Sequence, residues 1–120
     1  MIITNSLMMK RMERALRTGD SLYTLDDIDK ELASGDMQGH VEGNTWAITK
    51  VQQFPRRKAV HIMFVVGNLS DSFALENKIH NWADSIGADL LTAVGREGWW
   101  GFRTPGWRIT GQFYSKDIRS

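Results

Sequence analysis

With 120 residues, of which 42% are hydrophobic, the chain is long enough for one domain, expected to span residues 1–120, with a sizeable core. It has no apolar run near the ~20 residues that cross a membrane, and its lack of cysteine excludes disulfides, thiolate metal sites and cysteine nucleophiles. The net charge of +1 gives no overall attraction to nucleic acid or acidic membranes, so any basic surface must be local.

The first residues predict a short strand at residues 2–4 and then an amphipathic helix at residues 6–17. The helix has the apolar positions Leu7, Met8, Met12, Ala15 and Leu16, and the basic positions Lys10, Arg11, Arg14 and Arg17. Such a helix more often lies on its own core with a solvated basic face than on an anionic partner. The residues before Leu16 lack the apolar segment of a signal peptide, so no export signal is expected.

A second helix is predicted from Thr24 to about Ala33, because Thr24 and Asp27 resemble a capping box. Its acidic residues suit a first helical turn better than a metal site. Residues 35–44 predict a turn-rich connection. Alternating Trp46, Ile48 and Phe54 predict a strand with one solvated face.

Residues 59–94 form the centre of the predicted fold, as a strand, a helix and a second strand. The run AVHIMFVVG predicts a central strand covered on both faces. It pairs in an antiparallel hairpin with the preceding strand, and the turn between them carries the basic residues 56–58. A helix capped by Ser70 or Asp71 runs to about Ile86, and Gly87 ends it. The second strand, residues 88–94, is expected to be parallel to the first.

The helix of this central unit has an apolar face. Its members lie at helical spacing: Leu75, Ile79, Trp82, Ala83 and Ile86. The histidines of the chain have no metal-ligand spacing. Glu76 and His80 are interpreted as a surface pair rather than part of a zinc site.

Residues 95–107 are rich in glycine, tryptophan and arginine, which predicts at most one helical turn near residues 99–102. Residues 107–118 alternate as a closing strand, with Trp107, Ile109 and Phe113 facing inward. The tryptophans and arginines of this stretch suit core packing, a protein interface or stacking on bases. The candidate partner-binding residues are Arg96, Trp99, Trp100, Phe102, Arg103, Trp107 and Arg108.

The order of these elements resembles the GNAT acetyltransferase fold, an α+β fold with a mixed sheet and helices on both faces. The resemblance extends to small GNAT-like proteins of tailed bacteriophages. It rests on FPRRK before the apolar strand, IHNWADSIG ending the helix, GREGW, GWR and YSKD. It implies an internal or head-associated component of the virion.

A GNAT enzyme binds the pyrophosphate of acetyl-CoA in a glycine-rich loop at the end of the central strand. The corresponding residues here are Val66, Gly67, Asn68, Leu69 and Ser70. They include one glycine and precede Asp71, whose charge is unfavourable for phosphate. Trp99, Trp100 and Phe102 stand where the family has its usual general-acid tyrosine, and Tyr114 is interpreted as an ordinary strand residue.

The sequence therefore favours a non-catalytic virion protein that has no cofactor and binds other virion proteins or its own copies. The expected locations are the virion and, during assembly, the host cytoplasm. The alternatives are an acetyl-CoA-dependent N-acetyltransferase and a nucleic-acid-binding protein that uses Arg56, Arg57 and Lys58.

Overall fold

A computed structural model describes residues 6–18, 22–94, 106–111 and 114–119. The helices and strands of these residues are, in chain order, α1 (Ser6–Thr18), α2 (Leu25–Ser34), β1 (Gln38–Glu42), β2 (Thr45–Gln53), β3 (Lys58–Gly67), α3 (Ser72–Ser85) and β4 (Leu90–Ala93). A single 3₁₀ turn, Leu69–Asp71, connects β3 to α3. No helix among the described residues is both long and apolar enough to cross a membrane.

The four strands form one mixed sheet in the order β1-β2-β3-β4. β2 is antiparallel to both β1 and β3, which confirms the predicted hairpin, whereas β3 and β4 are parallel. The strand, helix and strand of residues 59–94 therefore form the predicted crossover with adjacent parallel strands. The protein has the α+β architecture that the sequence predicts.

β1 lies where the sequence predicts only a turn-rich connection, so that prediction is wrong. Gln38–Glu42 pairs residue by residue with the first half of β2. β1 is short, mostly polar and contains Gly39, so its sequence carries only a weak strand signal. The backbone hydrogen bonds to β2 stabilise it, and these depend on a partner strand rather than on its own composition.

β2 is covered on both faces over its first half, so the predicted solvated face is wrong there. Thr45, Ala47, Ile48 and Thr49 are all buried. The reason is that helices pack on both faces of the sheet, as the fold class implies. Phe54 lies beyond the end of β2 and is 49% exposed.

The helices α1 and α2 cover one face of the sheet. Their core side chains are Met8, Met12, Leu16, Ile28 and Leu32, which pack with Met37, Ile48 and Val66. Thr24 caps α2 in a reciprocal box with Asp27, as predicted, and Gly35 ends α2 in the left-handed conformation. The prediction is wrong for Leu7, which is 55% exposed because it stands at i−4 from Arg11 and i−7 from Arg14, on the side of α1 away from the core.

The helix α3 covers the opposite face through Leu75, Ile79 and Ala83, which pack with Ala47, Val60 and Ile62. Trp82 and Ile86 complete the predicted apolar face as partly buried side chains. The left-handed Gly87, with φ of 78°, follows the helix as predicted. Asp71 occupies the N-cap position, as predicted, but its side chain makes no capping bond to the helix.

The predicted closing strand is absent from the described residues 107–111 and 114–119. Ile109, predicted to face inward, is 73% exposed, whereas Trp107 packs against the core cluster under α3. The predictions for residues 2–4, for a helical turn near residues 99–102 and for Phe113 lie outside the described residues.

Candidate functional site

The end of β3 is held against the turn that joins β1 to β2. Gly67 has φ of 123°, and a Cβ atom there would lie 2.7 Å from the Cα of Thr45 and still closer to the carbonyl oxygen of Asn44. Both neighbours are backbone atoms, which cannot rotate away. The only glycine of this loop is therefore required by the close approach of the 43–44 turn.

Asp71 fastens the 3₁₀ turn to the same place. Its Oδ2 accepts a hydrogen bond from the backbone N–H of Asn44 at 3.2 Å. A Cβ at Gly43 would lie 2.7 Å from that oxygen, so the carboxylate rests directly on the turn. The buried Thr45 adds a bond from its Oγ1 to the carbonyl of Asn68 at 2.5 Å.

Three backbone N–H groups of this loop already have acceptors within the protein. Asn68 donates to the carbonyl of Asn44 at 3.3 Å, and Asp71 donates to the carbonyl of Asn68 at 3.1 Å. Ser70 donates to the side-chain Oδ1 of Asn68 at 3.4 Å. A phosphate cradle needs convergent, available N–H groups in positive surroundings. Here the N–H groups bond internally, and a carboxylate stands beside them.

β3 and β4 stop pairing part-way along β3. Their parallel register runs from Ala59 and Leu90 to Ile62 and Ala93, after which residues 64–67 of β3 pair with β2 but no longer with β4. Ile48 of β2 pairs with Phe64, whereas Thr49 pairs with Ile62. Met63 is therefore the extra residue of a β-bulge, which bends a strand where it occurs. The bulge and the end of β4 coincide.

His61 lies just before this point, on the face of the sheet that α1 covers. Its Nδ1 forms a hydrogen bond with Oγ1 of Thr92 on β4 at 2.7 Å. Burial lowers the pKa of His61, which keeps the imidazole neutral near pH 7. A neutral imidazole can accept a proton. The sequence does not reveal this pair, because it does not specify the register of β3 against β4.

His40 belongs to a separate buried network on the α3 side of the sheet. Thr49 Oγ1 donates to Gln38 Oε1 at 3.2 Å, so it accepts from His40 Nε2–H at 2.9 Å. The ring meets Trp82 edge to face, with centroids 4.9 Å apart. Burial and then the charge of Lys78 lower the pKa of His40. These contacts give His40 a structural role between β1, β2 and α3.

Trp107 is one of two predicted partner-binding residues that the structure describes. Its indole N–H donates to Glu76 Oε1, and its ring packs on the core cluster of α3. Glu76 is only 6% exposed, so it is not the surface residue that the sequence predicted. Arg108 is exposed. The other five, Arg96, Trp99, Trp100, Phe102 and Arg103, lie outside the described residues.

The segment after Trp107 exposes large apolar side chains. Ile109 is 73% exposed, Tyr114 82% and Ile118 90%. Exposed apolar side chains that follow one another along a segment are typical of an interaction surface rather than of solubility. Trp107 therefore anchors a C-terminal segment that presents these side chains to solvent.

The basic turn of residues 56–58 is partly used to hold the fold together. Arg57 Nη2 donates to the carbonyl of Asp89 at 3.1 Å, and Lys58 Nζ donates to the carbonyl of Ile86 at 2.6 Å. Only Arg56 of the three projects without such a bond among the described contacts. Across the described residues, no three His, Cys, Asp or Glu side chains lie close enough to hold a metal ion.

Comparison with known proteins gives a match at the level of structure. A crystal structure of a probable acetyltransferase superposes with a TM-score of 0.68 and 9% sequence identity, covering 95% of this chain and 90% of that one. The chain has an acetyltransferase-like fold. A Thermus thermophilus protein superposes with a TM-score of 0.65 and 11% identity, covering 98% of this chain and 95% of its own.

These neighbours confirm the GNAT-like fold that the order of elements predicts. At such low sequence identity, structural similarity establishes the fold alone. The chemistry has to be inferred from the residues of this chain. No family model matches the sequence, and no curated protein matches it significantly.

Proposed function

We propose that this GNAT-like protein is non-catalytic and binds other protein subunits, as an internal or head-associated component of a tailed-bacteriophage virion. The observation that carries the non-catalytic part is the position of Asp71, whose carboxylate rests on the 43–44 turn beside the loop where a coenzyme diphosphate would bind. A fixed negative charge there opposes a phosphate, and the neighbouring N–H groups already have acceptors.

The C-terminal segment supports binding to proteins. Trp107 is fixed on the core by Glu76 and the α3 cluster, so the residues that follow begin from a rigid point. Ile109 and Ile118 then present apolar surface, and Arg108 adds an exposed guanidinium. Tryptophan and arginine dominate interface energetics, and an anchored segment loses less conformational entropy on binding.

The virion setting rests on the sequence motifs that resemble small phage proteins. The partners in this proposal are other virion proteins and copies of the same chain, with no membrane and no cofactor. The protein is placed in the virion and, during assembly, in the host cytoplasm. The remaining partner-binding residues of the proposal belong to residues 96–103.

Mass spectrometry of purified particles tests the proposal, together with the oligomeric state of the isolated protein. We expect the chain to copurify with particles. The variant Ile109→Ser/Ile118→Ser should remain folded but be depleted from particles, because both side chains are exposed. Leu22→Ser is the control, since Leu22 is 72% exposed elsewhere in the chain. A monomeric protein that is absent from particles refutes the proposal.

The second candidate is an acetyl-CoA-dependent N-acetyltransferase, and one observation favours it. β3 and β4 separate at the Met63 bulge, and the neutral His61 lies at that point with a partner on β4. In this alternative, residues 66–70 bind the coenzyme. Calorimetry with acetyl-CoA decides between the candidates, because micromolar binding would reverse their order. Asp71→Asn is then expected to tighten that binding, since it removes a charge beside the diphosphate.

A further inference from the structure

The helix α1 buries three apolar side chains on one side and carries its basic residues, together with the exposed Leu7, on the other. Met8, Met12 and Leu16 are buried against the sheet. The basic residues project to solvent on the opposite side: Lys10, Arg11, Arg14 and Arg17 are all exposed. Because 3.6 residues make one turn, Lys10, Arg14 and Arg17 form a single row, with Arg11 beside it. We call these four residues the α1 basic face.

This face is the positive pole of a nearly neutral protein. α1 carries four basic residues and one acidic residue, Glu13, which gives it a charge of +3. The whole chain has 15 basic and 14 acidic residues, so the other 11 basic and 13 acidic residues sum to −2. A net charge of +1 therefore conceals a local concentration of positive charge, which creates a field that attracts anions.

The four charges have no acidic partners among the described residues. The ion pairs found there join Lys30 to Asp26 and Lys78 to Glu42, both away from α1. An exposed row of unpaired cations within one helix repels itself. An anionic partner would relieve that repulsion. A helix used only for core packing does not need such a row of unpaired cations.

The chemistry of the face selects among anionic partners. A membrane is disfavoured, because the apolar side of α1 is already buried in the core and cannot enter lipid. Single strands are disfavoured, because α1 has no aromatic side chain on which bases could stack. Three of the four cations are arginines, whose planar forks bind phosphate oxygens in pairs.

The spacing of the row fits a continuous backbone of phosphates. Lys10 and Arg17 are seven residues apart, or about 10 Å along the helix at 1.5 Å per residue. One strand of a duplex advances by about three nucleotides over that distance, at 3.4 Å each. The row can therefore face successive phosphates of one strand.

We propose that the α1 basic face binds the phosphate backbone of double-stranded nucleic acid without reading its sequence. The residues have no donor or acceptor pattern aimed at base edges, and contacts to phosphate carry no sequence information. With four contacts at most, binding is weak and strongly dependent on salt. This surface uses none of residues 96–108, so it adds a second interaction to the one proposed above.

Fluorescence anisotropy with a labelled 20-base-pair duplex tests this proposal on the full chain. Four phosphate contacts predict a slope of about −3.6 for log K against log salt, or about 150-fold weaker binding at 200 mM than at 50 mM salt. Duplexes of different sequence should bind equally. Parallel measurements with duplex DNA and duplex RNA show which backbone is preferred, and either one supports the proposal.

The decisive variant is Lys10→Gln/Arg14→Gln/Arg17→Gln, which should reduce the slope to about −0.9 and nearly abolish binding at 100 mM salt. Glutamine is a good helix former, so circular dichroism should show an unchanged fold. The control is Lys30→Gln/Lys116→Gln/Arg119→Gln, which removes the same charge from exposed positions outside α1 and outside the basic turn of residues 56–58, and should bind like the unmodified protein.

Equal losses in the two triple variants would overturn the proposal, because the effect would then come from net charge alone. A slope near zero, or tighter binding to a polyglutamate peptide or to anionic vesicles than to duplex, would overturn it as well. Failure of this experiment leaves incorporation into particles untouched, since that depends on the C-terminal segment.

Discussion

Substituting Gly67 by alanine tests whether the loop after β3 is closed onto the 43–44 turn. Three costs follow from the structure. The φ of 123° is unfavourable for alanine and costs roughly 1–3 kcal/mol of stability. The new methyl group would overlap the backbone at Asn44 and Thr45, and overpacking of this kind costs about 1–3 kcal/mol. Moving the loop away breaks the bond from Asn68 to Asn44, worth about 1 kcal/mol.

Together these costs predict a loss of about 3–7 kcal/mol, a large share of the roughly 5–15 kcal/mol that stabilises a domain of this size. Gly35→Ala is the matched control. Gly35 also has a positive φ, of 86°, but a Cβ there meets nothing within 4 Å. Only backbone strain remains, so the control should lose roughly 1–2 kcal/mol.

Urea unfolding followed by tryptophan fluorescence measures both free energies of unfolding on the same scale. Equal losses in the two variants would refute the reasoning, because the close approach of the 43–44 turn would then be absent in solution. Such a result would also reopen the loop as a phosphate site, since the glycine would no longer be explained by packing.

Three further predictions concern stability and its dependence on pH. Thr24→Ala removes the side-chain cap of α2 and should cost about 1 kcal/mol by urea unfolding, whereas Thr24→Ser should cost less than half of that. Trp107→Phe keeps an aromatic ring but removes the hydrogen bond to Glu76, so it should cost about 1–3 kcal/mol and increase proteolysis after the substituted position; unchanged proteolysis would contradict the anchor. Burial places the pKa values of His40 and His61 below the value of about 6.5 in the unfolded chain. Their stabilising effect is complete above about pH 6.5 and is lost as the pH decreases toward the folded pKa. The urea concentration at the unfolding midpoint should therefore decrease when the pH is lowered from about 7.5 to about 5.5. Glutamine at both histidine positions should flatten this dependence, and an unchanged slope would assign it to other groups.

The three proposals depend on different structural features of the protein. The non-catalytic interpretation depends on Asp71 and on the occupied N–H groups of residues 68, 70 and 71. The acetyltransferase alternative depends on the separation of β3 from β4 next to His61. Nucleic-acid binding depends only on the exposed side of α1. The duplex-binding experiment therefore tests nucleic-acid binding independently of the other two proposals, whereas calorimetry with acetyl-CoA decides between those two.

The sequence by itself determined the elements whose signals are local. The capping box at Thr24 and Asp27 formed as predicted, because all of its partners lie within three residues of one another. The long apolar run of β3, the helix with its apolar face and the short second strand fixed the crossover. Handedness and connection length leave few other ways to join such elements.

Only the tertiary structure decided the features that depend on distant partners. β1 is a strand because β2 offers it backbone hydrogen bonds, which its own residues do not indicate. Asp71 bonds to a turn 27 residues earlier instead of capping α3, and Glu76 is buried under an indole 31 residues later. Such contacts depend on which strands are adjacent and in what register, and a sequence pattern specifies neither. The conformation of the loop after β3 is therefore set by its tertiary contacts with the 43–44 turn.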